Sequence, residues 1–151
     1  VKAYEISKPR CHYAKQYLGI EAYSSLDELT GSFDSFFSAH VLEHVPCVRE
    51  TIDYGWQTLR PGGLFVAFTP NGSEAHRMKK PAFWHSVWGR VHPNFLDDIY
   101  YRKAFEGYPM IITSIPYSLD LLKQWALTGN GCETGDLSGH ELLIAVRKPK
   151  D

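Results

Sequence analysis

Short apolar runs alternate along this chain with longer segments in which apolar residues recur every three or four positions. The runs predict β-strands, and the segments between them predict helices that pack on the resulting sheet. In one such helix the apolar positions are Val48, Ile52, Trp56 and Leu59. The predicted strands are Val1–Tyr4, Ile20–Tyr23, Ser35–Ser38, Leu64–Phe68, Met110–Ile115 and Glu141–Arg147.

This alternation predicts an α/β fold with a mostly parallel sheet, in which the last strand, Glu141–Arg147, runs antiparallel to its neighbours. The apolar character of Phe36–Ala39 is typical of a strand that helices bury on both faces. In doubly wound sheets, ligands bind at the carboxyl ends of the strands. The candidate site therefore includes Ser38–His44 and Thr69–Gly72, which follow two of the predicted strands.

An acidic residue, Glu5, ends the first predicted strand and is followed at once by a predicted helix. Ser7 is a plausible N-cap for that helix, and Gly19 can close it in a left-handed conformation. In Rossmann-type folds an acid at this position holds the ribose hydroxyls of a nucleotide cofactor. The alternative is a solvated surface glutamate with no role in binding.

Length and composition exclude several classes of function but do not identify one. The chain has 151 residues, 44% of them hydrophobic, which suits one domain with a real core. Its formal net charge of −1 provides no overall field that would recruit nucleic acid or an acidic membrane. No apolar run approaches the roughly 20 residues of a membrane helix. Three scattered cysteines, Cys11, Cys47 and Cys132, favour a reducing, cytoplasmic location over a disulfide scaffold.

Three motifs resemble the central part of the class I S-adenosylmethionine-dependent methyltransferases. They are the segment Asp34–Val45 with its Leu-Glu-His-Val, the Leu-Arg-Pro-Gly-Gly of 59–63, and Thr69-Pro70-Asn71. The resemblance implies a Rossmann-like sheet and methyl transfer from S-adenosylmethionine. It also implies a set of cofactor-binding residues: Glu5, Ile6, Ser25, Leu26, Ser38, Ala39 and His40.

The implied roles differ along the chain. Glu5 would hold the ribose, Ser25 and Leu26 would lie beneath the adenine, and Ser38 to His40 would line the methionine end. Ser25 has a second interpretation, because Glu28 three residues later completes a capping box.

The glycine-rich first loop of the resembled family is missing, because no residue precedes the strand that ends in Glu5. The sequence is therefore interpreted as a fragment that lacks the first strand and the helix after it. We expect either a gap beside Ser35–Ser38 or direct pairing of the flanking strands, and weak cofactor binding by this polypeptide alone.

His40, Glu43 and His44 are spaced so that a helix would place them on one face, as metal ligands require. In ubiquinone-type and small-RNA O-methyltransferases, a Glu-x-x-Glu-His at this position supports a divalent metal. In many metal-free relatives the same segment only shapes the cofactor loop. The sequence favours the second interpretation, and we expect no bound metal.

The segment 77–97 is rich in basic and aromatic residues and is predicted to be a substrate lid, in which Phe83, Trp84 and Trp88 pack together. The alternative is a grip for nucleic acid or a phosphorylated substrate. Within it, His92 begins a His-x-Asn-Phe that resembles a family segment. His92 is the candidate general base, because its ordinary pKa suits neutral pH, or else a structural histidine bonded to the loop backbone.

Two other functions stay open at this point. A nicotinamide-dependent oxidoreductase would use Glu5 equally well, and a non-catalytic binding domain would need none of these side chains. The paired Leu-Glu-His-Val and Leu-Arg-Pro-Gly-Gly motifs favour the methyltransferase, with a small, metabolite-like methyl acceptor.

Overall fold

The computed structural model describes residues 1–89 and 91–150, and it divides the chain into two compact units, Val1–Ser32 and Phe33–Asp151. Arg90, which belongs to the predicted lid segment, lies outside the described residues. Each unit is built around its own strands. Among the described helices, none is long and apolar enough to cross a membrane.

The amino-terminal unit contains two short parallel strands joined by a helix. Strand β1 (Lys2–Tyr4) leads to helix α1 (Lys8–Leu18), and strand β2 (Glu21–Tyr23) follows. Ala3 lies opposite Ala22 in the parallel ladder. Gly19 ends α1 with φ 63°, the left-handed conformation expected of it. A 3₁₀ turn at Leu26–Glu28 completes the unit.

The carboxyl-terminal unit is a five-stranded sheet with helices. Its strands are β3 (Phe33–Ala39), β4 (Leu59–Pro70), β5 (Met110–Ser114), β6 (Cys132–Thr134) and β7 (Glu141–Arg147). Its helices are α2 (Val48–Thr58), α3 (Glu74–Lys79), α4 (Pro81–Val87), α5 (Asp98–Ala104) and α6 (Leu119–Thr128).

The strand order is β3-β4-β7-β5-β6, and β7 runs antiparallel to both of its neighbours. The other ladders, β3 with β4 and β5 with β6, are parallel. The predicted α/β fold with a mostly parallel sheet and an antiparallel last strand is confirmed. Within this unit β3 pairs with β4 alone, which leaves its other edge without a ladder partner there.

The core lies where α2 packs on the sheet. Val48 and Ile52 are buried against the centre of the sheet, as their helical spacing predicts. Phe36 stacks on Phe65 with ring centroids 5.0 Å apart. A Cβ at Gly55 would lie 2.8 Å from the Phe36 ring, so the close approach of helix and strand requires glycine at that position.

Three expectations about local structure were wrong. Residues 42–44 form a turn, 45 and 46 form a bend, and α2 begins only at Val48, so His40, Glu43 and His44 do not share a helical face. Pro46 explains this, because a proline disfavours the helical conformation of the residue before it. Phe37 is 66% exposed, so β3 is not buried on both faces.

The third error is β6, which is absent from the six predicted strands. It pairs with β5 in parallel at the edge of the sheet, and all three of its residues are exposed. An exposed edge strand has no apolar run that a sequence pattern could reveal.

Candidate functional site

Glu5 lies directly after β1 and is half-buried. Its backbone N–H donates to the carbonyl of Tyr23 at 2.9 Å, and its Oε1 accepts a hydrogen bond from the backbone N–H of Ser7 at 2.8 Å. These contacts hold the carboxylate at the carboxyl end of the strand. The observed position therefore differs from that of a freely solvated surface glutamate.

The other candidate residues of the amino-terminal unit lie in its two loops. Ile6 is largely exposed, whereas Ser25 and Leu26 are half-buried. Ser25 precedes the 3₁₀ turn, but its side chain makes no capping hydrogen bond. The capping-box interpretation of Ser25 is thus wrong, and its hydroxyl is not committed to the turn.

In the carboxyl-terminal unit, the end of β3 carries Ser38, Ala39 and His40. Ala39 lies opposite Phe68 in the parallel ladder, and the N–H of His40 donates to the carbonyl of Phe68 at 2.9 Å. The carboxyl ends of β3 and β4 therefore meet at one edge, as predicted. Ser38 is only 6% exposed, and its Oγ has no hydrogen-bond partner among the described residues.

His40 has an unusual backbone conformation. Its φ of 52° is the only positive φ of a non-glycine residue in the described chain. Such residues tend to cluster at binding and catalytic sites, where the surrounding contacts must hold the strain.

The contacts that hold the His40 ring come from the far end of the chain. Its Nε2 lies 2.6 Å from Oε2 of Glu141, at the start of β7. Glu141 in turn accepts a hydrogen bond from the hydroxyl of Tyr117. Burial, and next this bond to Glu141, raise the pKa of Tyr117. Sequence analysis missed Glu141 and Tyr117. The sequence carried no signal for this contact, because it depends on the pairing of β4 with β7, which places Glu141 opposite Pro70.

Glu43 is a fully buried carboxylate with three histidines near it. Its Oε1 is 3.3 Å from Nδ1 of His40 and 3.8 Å from Nε2 of His44. Neither carboxylate oxygen has a hydrogen-bond partner in the part of the chain that the structure describes. A buried carboxylate needs compensating polar partners, and the imidazole rings of His40 and His44 lie beside it.

One donor atom from each of Glu43, His44 and His92 lies within 4.8 Å of the other two. A carboxylate and two imidazoles form a donor set that divalent metals accept. His40, which the sequence grouped with Glu43 and His44, is not part of this cluster. These are the residues that could hold an ion.

His92 is half-buried, and its ring centroid lies 4.8 Å from that of His44. Its Nδ1 is 2.7 Å from the carbonyl oxygen of Val87. A carbonyl only accepts, so Nδ1 carries the hydrogen and Nε2 is the basic nitrogen of the neutral ring. The backbone contact expected of a structural histidine is present, and it leaves Nε2 for chemistry.

Two asparagines to which sequence analysis gave no role fix the loops of this edge. Asn94 donates from Nδ2 to the carbonyl of Val45 at 2.6 Å and to those of Leu42 and Glu43 at 3.3 Å. It therefore clamps the turn that carries Glu43 and His44.

Asn71, which follows β4, donates from Nδ2 to the carbonyls of Leu137 at 2.7 Å and Gly139 at 2.6 Å. Its Oδ1 accepts from the N–H of Ser73. Only the turn motif Thr69-Pro70-Asn71 drew attention to it, and no sequence pattern named its partners.

The segment predicted to be a lid contains an aromatic cluster. Ring centroids are 5.3 Å apart for Trp84 and Phe95 and 4.9 Å apart for Trp88 and Phe95. The indole N–H of Trp84 donates to the carbonyl of Gly72 at 3.2 Å. Lys79 and Lys80 are exposed. The cluster thus packs beside the turn that follows β4.

Comparison with known proteins agrees with this architecture. A family model described as a methyltransferase domain matches residues 1–67, which include all seven residues proposed to bind the cofactor. The sequence has no significant match among curated proteins.

Several solved structures resemble the chain in fold, including the following three. The plantazolicin methyltransferase BpumL, in complex with a pentazolic desmethylPZN analog and SAH, aligns with a TM-score of 0.64 and 11% identity over 99% of this chain and 67% of its own. A SAM dependent methyltransferase from Archaeoglobus fulgidus gives 0.63 and 12%, over 97% and 75%. The methyltransferase in complex with the Trm112 activator of Haloferax volcanii gives 0.62 and 15%, over 98% and 71%. At these identities the likeness shows a shared fold.

Proposed function

We propose that the chain is a class I, Rossmann-like methyltransferase that uses S-adenosylmethionine, and we propose which of its residues bind the cofactor and act on the acceptor. The observation that carries the proposal is the strained backbone of His40 at the carboxyl end of β3. The contact of its ring with Glu141 and the buried, unpartnered hydroxyl of Ser38 support the same location.

In the carboxyl-terminal unit, Ser38, Ala39 and His40 line the methionine end of the cofactor. The Ser38 hydroxyl can donate to a carboxylate or accept from an amine, which are the polar groups of that moiety. In the amino-terminal unit, Glu5 accepts hydrogen bonds from the ribose hydroxyls, next to Ile6, while Ser25 and Leu26 contact the adenine. The bound cofactor supplies a sulfonium methyl group that is ready for transfer.

His92 is the proposed general base for a hydroxyl acceptor. Its Nδ1–H is committed to Val87, which orients the ring and leaves Nε2 to take the proton of the hydroxyl. Methyl transfer otherwise depends mainly on holding the acceptor in line with the methyl group at near-attack distance.

The segment 77–97 is the proposed lid over the acceptor, and the domain is proposed to be single. The cluster of Trp84, Trp88 and Phe95 offers an apolar surface that excludes water. We further propose a small-molecule acceptor and a cytoplasmic location. The three cysteines are free, which fits a reducing compartment.

Equilibrium dialysis of the chain against S-adenosylmethionine and, in parallel, against NAD tests the cofactor assignment. We expect weak but saturable binding of S-adenosylmethionine and none of NAD. The opposite preference would support the oxidoreductase, and binding of neither would support a non-catalytic domain.

A further inference from the structure

The segment between β6 and β7 packs against α3 and α4 around a cavity of about 520 Å³ that the mechanism above does not use. Its lining consists of His76, Lys79, Lys80, Phe83, Ser138, Gly139 and His140. Cavities of this size suit small organic ligands. All of the ionisable side chains in the lining are basic.

We infer that this cavity binds the anionic group, a carboxylate or a phosphate, of the methyl acceptor. The inference rests on the proposed methyltransferase function and names the chemical class of its substrate. Three features of the cavity support it: an uncommitted lysine, a buried histidine with a free ring nitrogen, and an exposed aromatic face.

Lys80 is the uncommitted charge. Its side chain is exposed and makes neither a hydrogen bond nor an ion pair within residues 1–89 and 91–150. Lys79, in contrast, donates to Oγ of Ser138 at 2.8 Å, and that hydroxyl donates to Oδ2 of Asp136 at 2.9 Å. Asp136 is not part of the lining: its two carboxylate oxygens accept from the backbone N–H and the hydroxyl of Ser138, and within the described residues it forms no ion pair with Lys80.

His76 is the buried group. It is only 2% exposed, and its Nδ1 lies 3.0 Å from the carbonyl oxygen of Ser138, so Nδ1 carries the hydrogen. Its Nε2 has no hydrogen-bond partner in the described part of the chain. An unpaired buried nitrogen is costly, and an anionic or acidic ligand group would satisfy it by sharing a proton.

Phe83 supplies the apolar wall. Its ring meets His76 edge-on at 5.9 Å and His140 at 6.3 Å, and it is about half exposed. A ligand with a flat apolar body next to its anionic group would cover this face.

The cavity is connected to the candidate methyl-transfer site through rigid backbone. The N–H of Asn71 donates to the carbonyl of His140 at 3.0 Å, and the next residue, Glu141, holds the His40 ring. Gly139 approaches Ile115 so closely that a Cβ would lie 1.8 Å from its carbonyl oxygen. The loop is therefore fixed at the edge where β4 ends, which is the place for an acceptor.

Nuclear magnetic resonance titration tests the inference with three probes: phenyl phosphate, benzoate and benzylamine. We expect both aromatic anions to shift the His76 ring and the amides of Gly139 and His140, and the cation benzylamine to leave them unchanged. Whichever of the two anions binds more tightly identifies the anionic group of the acceptor: phenyl phosphate indicates a phosphate, and benzoate indicates a carboxylate. Equal shifts with benzylamine, or none with either anion, would overturn the inference.

Lys80→Gln removes the uncommitted charge, and Lys123→Gln removes an exposed charge on α6 as the matched control. We expect Lys80→Gln to weaken binding of the preferred anion by about three- to tenfold, the range of one partly solvated charge contact, and Lys123→Gln to leave it unchanged. Equal effects of the two variants would mean that only net charge matters, and the site would be abandoned.

Two further binding measurements distinguish this inference from an anion in the cofactor site and from a surface that binds nucleic acid. S-adenosylhomocysteine should not displace the anion, because displacement would place the anion in the cofactor site. A short oligouridylate that binds more tightly than the small anions, with shifts beyond the cavity, would replace the pocket with an RNA surface. Loss of cofactor binding with anion binding intact counts against the cofactor assignment alone, and the reverse counts against this pocket alone.

Discussion

The two candidate cofactor segments, one in each unit, are held by different kinds of contact. Glu5 is fixed by its own neighbourhood, since Ser7 donates to its carboxylate from two residues further on. His40 is fixed from a distance, since its ring meets Glu141, 101 residues further along the chain. One site can thus be formed by a single strand-to-helix turn, and the other needs the finished sheet.

This difference predicts which substitutions would disturb the geometry at each site. The geometry at Glu5 depends on β1 and the start of α1, so changes in distant strands should leave it intact. The geometry at His40 depends on the position of β7 beside β4 and on the loop before it. Substitutions in residues 137–141 should therefore act on the methionine end of the site without touching the cofactor.

The largest expected effect comes from Asn71→Ala, which breaks the long-range anchor. Asn71 is 2% exposed, and its removal leaves the carbonyl of Gly139 without its side-chain donor and the N–H of Ser73 without its acceptor, whereas the carbonyl of Leu137 keeps the Ser73 hydroxyl. We expect the free energy of unfolding to fall by about 2–4 kcal/mol, the sum of two stranded backbone groups. Urea unfolding monitored by tryptophan fluorescence measures it.

Asn130→Ala is the matched control, because Asn130 is exposed and the change should stay within about 0.5 kcal/mol. A loss below about 1 kcal/mol for Asn71→Ala would mean that the loop is held by other contacts. The contrast between long-range and local anchoring would then lose its main support.

Glu5→Ala addresses the local site. We expect it to weaken S-adenosylmethionine binding by about 1–3 kcal/mol, the usual cost of stranding polar groups, with little change in the free energy of unfolding. Isothermal titration calorimetry measures the affinity, and Glu28→Ala, an exposed acid of the same unit, serves as control. Unchanged affinity would remove Glu5 from the site.

The same contrast explains which features the sequence predicted. Glu5 and the helix that follows it are local, and a pattern of a few residues predicted them. The order of strands β3 and β4 also followed from neighbouring segments, because a parallel crossover needs only the pattern of apolar runs and one helix.

Features that depend on distant partners could not be predicted in this way. Glu141 has the ordinary appearance of a polar residue at the start of a strand, and only the sheet register places it beside His40. Asn71 and Asn94 form hydrogen bonds with backbone carbonyls, which have no side-chain identity to recognise. The segment 41–46 was predicted to be helical because its spacing outweighed the effect of Pro46.

Two tyrosines allow the contrast to be measured with one kind of group. Tyr23 donates to Glu21, two residues away, and this bond is the main reason why the pKa of Tyr23 is raised. The pKa of Tyr117 is raised first by burial and then by its bond to Glu141. We expect Glu21→Gln to return Tyr23 nearly to the ordinary value, and Glu141→Gln to lower the Tyr117 pKa only in part.

The direction for stability follows from the raised pKa of Tyr117. The folded state prefers the protonated phenol, so its contribution is complete below the ordinary value of 10.0 and is lost as pH rises through the raised value. Glu141→Gln should make this alkaline loss smaller. Ultraviolet titration of tyrosinate with Tyr117→Phe as reference assigns the signal, and an unchanged Tyr117 pKa in Glu141→Gln would argue against the long-range bond.

The smallest expected effect is that of metal removal, which concerns the histidines beside the long-range site. Around a tetrahedral ion with bonds of roughly 2.0–2.2 Å, donor atoms lie about 3.4 Å apart. The donor atoms of Glu43, His44 and His92 lie within 4.8 Å of one another, and His40 is directed to Glu141 instead. The rings of His40 and His44 are themselves close partners of Glu43, because they lie 3.3 and 3.8 Å from its Oε1. We therefore expect a chelator to leave the melting temperature unchanged and Zn²⁺ to bind no more tightly to the chain than to its Glu43→Gln variant. Stoichiometric Zn²⁺ binding that Glu43→Gln abolishes would show instead that the buried carboxylate is a metal ligand. The turn held by Asn94 would then bind a metal ion in addition to supporting the cofactor site.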